Sequence, residues 1–183
     1  MSPNFPMSDT ASSNAAATKV VRSHTIRRPV AELYDFWRNL ENLPRVIRKP
    51  ATVTAVSPTV SHWEVSVPGK TDTVSWNATI INDEKNRLIA WSTDAPDGVR
   101  NAGSIRFETA PGDQGVEVTV TLRFEAPGGA LTAWLAKLSP EGPEHQVADT
   151  LRRFKALMEA GEIPTTEGQP AGEPQKSKKG DHK

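Results

Sequence analysis

Few side chains in this sequence could do chemistry. There are four histidines (His24, His62, His145 and His182), one tyrosine (Tyr34) and no cysteine. The missing thiols remove disulfides, thiolate nucleophiles and cysteine metal sites together. The histidines are far apart in sequence, and His182 lies in a polar C-terminal stretch. No pair of His, Asp or Glu has metal-ligand spacing, so neither a metal nor another cofactor is expected. No HExxH, Walker loop, GxSxG or GxGxxG motif occurs. Two weak catalytic candidates remain. His24 stands on a strand-like segment, where it is either a general base or an ordinary hydrogen-bonded strand histidine. Tyr34 stands on an apolar helical face, where its hydroxyl either orients a ligand or simply packs. Among the remaining polar side chains that strand spacing brings near the interior are Arg22 and Arg106, and alternation turns Arg106 outward.

The more informative residues are tryptophans. Trp63, Trp76 and Trp91 fall in successive alternating segments of "SHWEVSVPGKTDTVSWNATIINDEKNRLIAW". Alternation groups Trp63 with Val65 and Val67, Trp76 with Val74, Ala78 and Ile80, and Trp91 with Ile89. Setting apolar face against apolar face pairs Val67 with Val74, Val65 with Trp76 and Trp63 with Ala78. In the next hairpin Ile80 meets Ile89 and Ala78 meets Trp91. Further on, Thr109 meets Val116, Phe107 meets Val118 and Ile105 meets Val120. Trp63 and Trp91 then flank Ala78. Whether the indoles fill a core or line a pocket stays open, since each buried N–H needs a partner. Ser66, Thr93, backbone groups or a polar cavity could supply one. The pocket reading names Trp63, Trp76, Trp91, Ala78, Ile105, Phe107, Leu151 and Phe154 as its walls.

The elements that must position these residues follow from periodicity. "TKVVRSHTIR" alternates as a strand. Pro29 suits a helix start, and Val30, Leu33, Tyr34 and Trp37 follow at one helical face. "ENLPRVIRKP" suggests a second short helix closed by Pro50. Strands are expected at about 51–57, 61–67, 73–82, 87–93, 103–110 and 115–125, separated by turn residues. Leu131, Trp134, Leu135 and Leu138 mark a short helix. Val147, Leu151, Phe154 and Met158 mark a final amphipathic helix that stops at Gly161. A meander with one apolar face needs a cover, and the last helix is the natural one. The fold class is therefore α+β: a curved antiparallel sheet of about seven strands around a long C-terminal helix, with two short helices after the first strand.

Composition bounds the rest. The 183 residues carry 22 basic and 22 acidic side chains, so net charge gives no general attraction to nucleic acid. Residues 19–49 hold eight bases against three acids, a rim where a weak anionic partner could dock. Residues 1–17 and 162–183 read as disordered tails around a domain at 18–161. The first residues lack the basic and apolar regions of a secretory signal, and no apolar run reaches a membrane span. A cytoplasmic protein without stable membrane insertion is expected.

Several runs also carry a family likeness: "TIRRPVAELYDFWRNLENLPRV", "NAGSIRFETAPGDQGVEVTVTLRFEAPGG", "DTLRRFKALMEAGEIPTTEGQP" and the tryptophan stretch. Over about residues 19–170 the chain resembles the SRPBCC, START-like helix-grip superfamily, in particular its bacterial cyclase/dehydrase-type, coenzyme Q-binding-like members. It departs from them in "DQGVEV", where a Gly-Thr pair is usual, and in "APGG", where a second proline is usual. The resemblance implies a hydrophobic cavity between sheet and long helix. The expected function is binding or carriage of a small hydrophobic or amphipathic ligand: a lipid, a quinone or isoprenoid, or a polyketide-like molecule. The alternative is a polyketide cyclase/dehydrase-type enzyme using the same cavity. The fold does not choose between them.

Overall fold

The computed structural model describes residues 15–47, 51–66, 73–94, 100–127 and 141–162. The expected tails and the helix around Trp134 lie outside these residues. Strand β1 (Ala15–Ile26) leads into helix α1 (Val30–Arg38) and a 3-10 segment (Leu40–Arg45). Strands β2 (Ala51–Ala55), β3 (Val60–Ser66), β4 (Thr73–Glu84), β5 (Leu88–Asp94), β6 (Arg100–Thr109) and β7 (Val116–Pro127) follow, and helix α2 (Pro143–Ala160) closes the described fold. The seven strands form one antiparallel sheet in the order β1-β7-β6-β5-β4-β3-β2. Only β1 departs from a plain meander, pairing with β7 at the far edge. The expected α+β architecture is what the chain adopts.

Local chemistry explains the element ends. α1 begins directly after Pro29, where a missing N–H costs nothing. α2 ends at Gly161 in the left-handed conformation (φ 78°), with its N–H bonded back to the Leu157 carbonyl. α2 lays Val147, Leu151, Phe154 and Leu157 onto the sheet. Leu151 and Phe154 are fully buried, with Leu33 of α1 and Ile26, Ile89, Ile105 and Val118 of the sheet. Side chains from the two ends of α2 tie it along β1. Arg22 pairs with Glu144 near the start. Near the end, Lys155 Nζ donates to the Thr25 carbonyl at 2.5 Å and the Arg27 N–H donates to Glu159 at 2.8 Å.

The β6–β7 register is as expected, with Ile105 opposite Val120, Phe107 opposite Val118 and Thr109 opposite Val116. Two other registers differ. In β3–β4, Val65 faces Val74, Trp63 faces Trp76 and Ser61 faces Ala78. That is a two-residue shift from the expected pairing, and it keeps every side chain on its face because strand alternation has period two. In β4–β5, Ile80 faces Trp91 and Ala78 faces Thr93, and a β-bulge lies between Ile80 and Asn82. Trp63 and Trp91 therefore do not flank Ala78.

The bulge resets the alternation of β4. Before it, Val74, Ala78 and Ile80 point inward. Ile81 is left 63 % exposed on the outside. Beyond it, Asp83 comes opposite the buried Ile89, so the inward frame has moved from even to odd positions.

Candidate functional site

Between the sheet, the α1/3-10 segment and α2 lies a cavity of about 210 Å³. Its sheet wall comes from all the inner strands: Trp63 and Val65 of β3, Trp76, Ala78 and Ile80 of β4, Ile89, Trp91 and Thr93 of β5, Asn101 and Ile105 of β6, and Val120, Leu122 and Phe124 of β7. Pro143, Gln146, Val147, Thr150 and Leu151 of α2 cover it, and Trp37, Leu40, Leu43 and Ile47 close the side.

Strand register gives the cavity a direction. Asn101 pairs with Phe124, which on its other side pairs with Thr18. Phe107 pairs with Val118, which pairs with His24. Asn101 and Phe107 stand six positions apart on β6, about 20 Å of extended chain. The Phe107 end is sealed by aromatics. Phe154 packs on Phe36 and Trp37 with ring centroids 5.0 and 5.5 Å apart, and Phe107 meets Tyr34 edge-on at 6.1 Å. Asn101 lies toward the other end, where α2 begins.

Of the eight side chains expected in the cavity wall, Trp63, Trp76, Trp91, Ala78, Ile105 and Leu151 line it. Phe107 and Phe154 instead belong to the packed core at the sealed end. The two catalytic candidates stand elsewhere. His24 is half-buried between β1 and α2, and its pKa lies below the ordinary value of 6.5. Burial is the main cause, with the positive charges of Lys155 and Arg152 adding to it. Tyr34 is buried, and its hydroxyl donates to the Asp83 carboxylate. Arg38 Nε donates to the same carboxylate at 2.6 Å, and the Arg38 guanidinium also reaches the Pro58 carbonyl at 3.0 Å. Burial first, then the Asp83 hydrogen bond and charge, push the Tyr34 phenol up to about 12. Tyr34, Asp83 and Arg38 form a clasp that joins α1 to the end of β4 and to the β2–β3 turn. Only the bulge brings Asp83 onto the face where this clasp forms.

The indole N–H groups find different solutions. Trp63 Nε1 donates to Ser61 Oγ at 2.9 Å, and Ser61 is wholly buried. Neither Ser66 nor Thr93 accepts this bond. Ser66 is exposed, and the Thr93 hydroxyl is engaged with the Asn101 backbone, bonding both its N–H and its carbonyl at 3.1 Å. Trp37 Nε1 is buried without an acceptor among the described residues, and Asn101 Oδ1 is buried without a donor. Trp91 lies over Gly103, where a Cβ would come 2.3 Å from its ring. The absence of a side chain at Gly103 makes room for that indole.

Sequence reasoning missed Trp37, Leu40, Leu43 and Ile47 as wall residues. Their signal was present, because Leu40, Leu43 and Ile47 repeat at i, i+3 and i+7. It also missed Asn101, having begun the strand at residue 103. The same alternation extended back by two residues places Asn101 in the frame of Ile105 and Phe107.

The basic rim is partly neutralised within the molecule. Arg22 pairs with Glu144, Arg28 with Glu32 and Arg38 with Asp83, while Arg45 lies over the Phe36 ring at 5.9 Å. Among the described residues no group of three or more His, Asp or Glu could hold a metal ion. No described helix is long and apolar enough to cross a membrane.

Comparison with known proteins gives a consistent picture. The model of the family described as polyketide cyclase/dehydrase and lipid transport matches residues 17–159. A crystal structure of a Deinococcus radiodurans protein is 33% identical, covers 79% of this chain and 99% of its own, and superposes with a TM-score of 0.62. Two others share the fold alone. Norcoclaurine synthase from Thalictrum flavum is 11% identical over 87% of this chain and 96% of its own, with a TM-score of 0.56. A di-domain ARO/CYC protein of the steffimycin biosynthetic pathway is 12% identical over 79% of this chain and 51% of its own, with a TM-score of 0.56. No curated protein sequence matches the chain.

Proposed function

This chain belongs to the polyketide cyclase/dehydrase and lipid transport family, and from that premise we propose that it is a binding or carrier protein for a small hydrophobic or amphipathic molecule held between sheet and α2. The observation that carries this reading is the cavity wall. It is apolar and indole-rich, and no described residue in it is a histidine, tyrosine, lysine, aspartate or glutamate. Burying a ligand's apolar surface there contributes on the order of 25 cal/mol per Å² before ordering costs are met. A catalyst of the cyclase/dehydrase type would need a proton donor or acceptor within reach of its substrate. Neither His24 nor Tyr34 lines the cavity: His24 lies on β1 near the charges of Lys155 and Arg152, and Tyr34 is tied to Asp83. That arrangement favours carriage over the enzymatic alternative.

Native mass spectrometry of the purified protein should find a co-purifying lipophile, and tryptophan fluorescence should be quenched saturably by lipophiles that reload the extracted protein. Ala78→Leu puts bulk into the cavity from the middle of β4 and should abolish both signals while the far-UV spectrum is kept. A lipophile that stays bound in Ala78→Leu would move the binding site elsewhere. Turnover of a polyketide-like substrate, lost on substitution of Tyr34 or His24 in a folded protein, would restore the enzymatic reading.

A further inference from the structure

We propose that the cavity selects an uncharged ligand bearing a hydrogen-bond donor, such as a hydroxyl, that meets Asn101 at the end where α2 begins. This rests on the ligand-binding reading above and narrows it to a class.

Charge comes first. Every described residue of the wall is neutral. Arg22, Arg38 and Lys155 are committed outside it: Arg22 to Glu144, Arg38 to Asp83, and Lys155 to the Thr25 carbonyl and Glu159. A carboxylate or phosphate entering the cavity would lose its hydration without gaining a counter-charge, and burying an unpaired ion is far costlier than burying a neutral polar group. An aliphatic or aromatic acid is thus disfavoured against the alcohol of the same shape.

Polarity comes second. The wall's polar side chains are Thr93, Asn101, Gln146 and Thr150, apart from the indole N–H groups. Two of the four are occupied. Thr93 is bonded to the Asn101 backbone on both sides, and the Thr150 hydroxyl donates back to the Gln146 carbonyl at 2.9 Å. Of the remaining two, Gln146 and Asn101, only Asn101 has a buried atom, Oδ1, without a donor among the described residues. A buried acceptor left unpaired costs free energy that a ligand O–H or N–H recovers. Trp37 Nε1, toward the sealed end, is a second unpaired group and offers a donor to a ligand carbonyl or ether. Thr93 holds the Asn101 backbone in place, so the amide is presented from a fixed strand position.

The test uses three probes of one shape: naphthol, methylnaphthalene and naphthoate, each titrated calorimetrically at neutral pH into wild-type protein and Asn101→Leu. Wild type should bind naphthol about five- to tenfold more tightly than methylnaphthalene, the worth of one hydrogen bond, and naphthoate most weakly. Asn101→Leu should erase the preference for naphthol while binding methylnaphthalene at least as well, which also shows that the variant folds. Naphthoate binding as tightly as naphthol would overturn the charge argument. A naphthol preference that survives in Asn101→Leu would overturn the assignment of Asn101. If none of the three binds and no lipophile co-purifies, the ligand-binding reading itself falls, and this inference with it.

Discussion

Trp63 and Trp76 face one another across the β3–β4 ladder, their ring centroids 6.1 Å apart and their planes 9° from parallel. The pair forms one stretch of cavity wall, and its geometry is fixed on one side by the Ser61 hydroxyl that receives the Trp63 N–H. Stacked aromatic pairs contribute about 0.5–1.5 kcal/mol beyond their burial. A double-mutant cycle with Trp63→Leu and Trp76→Leu should return a coupling of that size. The far-UV exciton couplet of the pair should vanish in either single variant. Strictly additive effects with an unchanged couplet would mean that the rings do not stack in solution.

Gly103→Ala should destabilise the fold by about 1–3 kcal/mol, the usual cost of overpacking. The added methyl would lie 2.3 Å from Trp91 Cζ2 and 2.8 Å from Leu122 Cδ2. Trp91 must then swing into the cavity, so its emission should shift and ligand affinity fall together. A thermal melt within a few tenths of a kcal/mol of wild type would show that Trp91 does not lie over Gly103.

Tyr34 is the only tyrosine, so its ionisation can be followed by absorbance without assignment. It should titrate at about 12 in the folded protein, against 10.0 ordinarily. Its folded pKa is raised, so its contribution to stability is complete below pH 10.0 and is lost as pH rises through about 12. Asp83→Asn should bring the titration part of the way back, because burial, the larger cause, remains. A midpoint unchanged by the substitution would remove Asp83 from the clasp.

His24 should titrate below 6.5 by NMR. Here the folded pKa is lowered, so its contribution is present above 6.5 and is lost as pH falls through the folded value. Lys155→Met removes one of the two neighbouring cations and should raise the midpoint modestly, since burial is the larger cause. A midpoint above 6.5 in the wild type would contradict the packing of His24 against α2.

How much of this was legible in the sequence depended on how tightly local chemistry restricts register. β6 and β7 are joined by the short Pro111–Gly115 turn, and their pairing could be read directly. The β3–β4 connection spans residues 67–72, and two registers two residues apart bury the same side chains equally well. Alternation alone cannot separate them. The face of each tryptophan was therefore readable, whereas its neighbour was not. Ser61 as partner of Trp63 was readable in principle, since residues two apart on a strand share a face. The role of Asp83 was not, because a bulge inserts a residue without a clear signature in "TIINDEK".

The bulge at Ile81 means that β4 is written in two reading frames. Substitutions before it address the ligand cavity at even positions. Substitutions after it address the Tyr34–Arg38 clasp at odd ones. Deleting Ile81 would merge the frames into one regular ladder and leave Asp83 opposite Ile89, whereas keeping Ile81 and flattening the bulge would turn Asp83 toward solvent and release α1 from the sheet without touching a single cavity residue. The strand's two tasks, shaping a container and fastening its side wall, can thus vary independently, separated by one surplus residue that itself points at nothing.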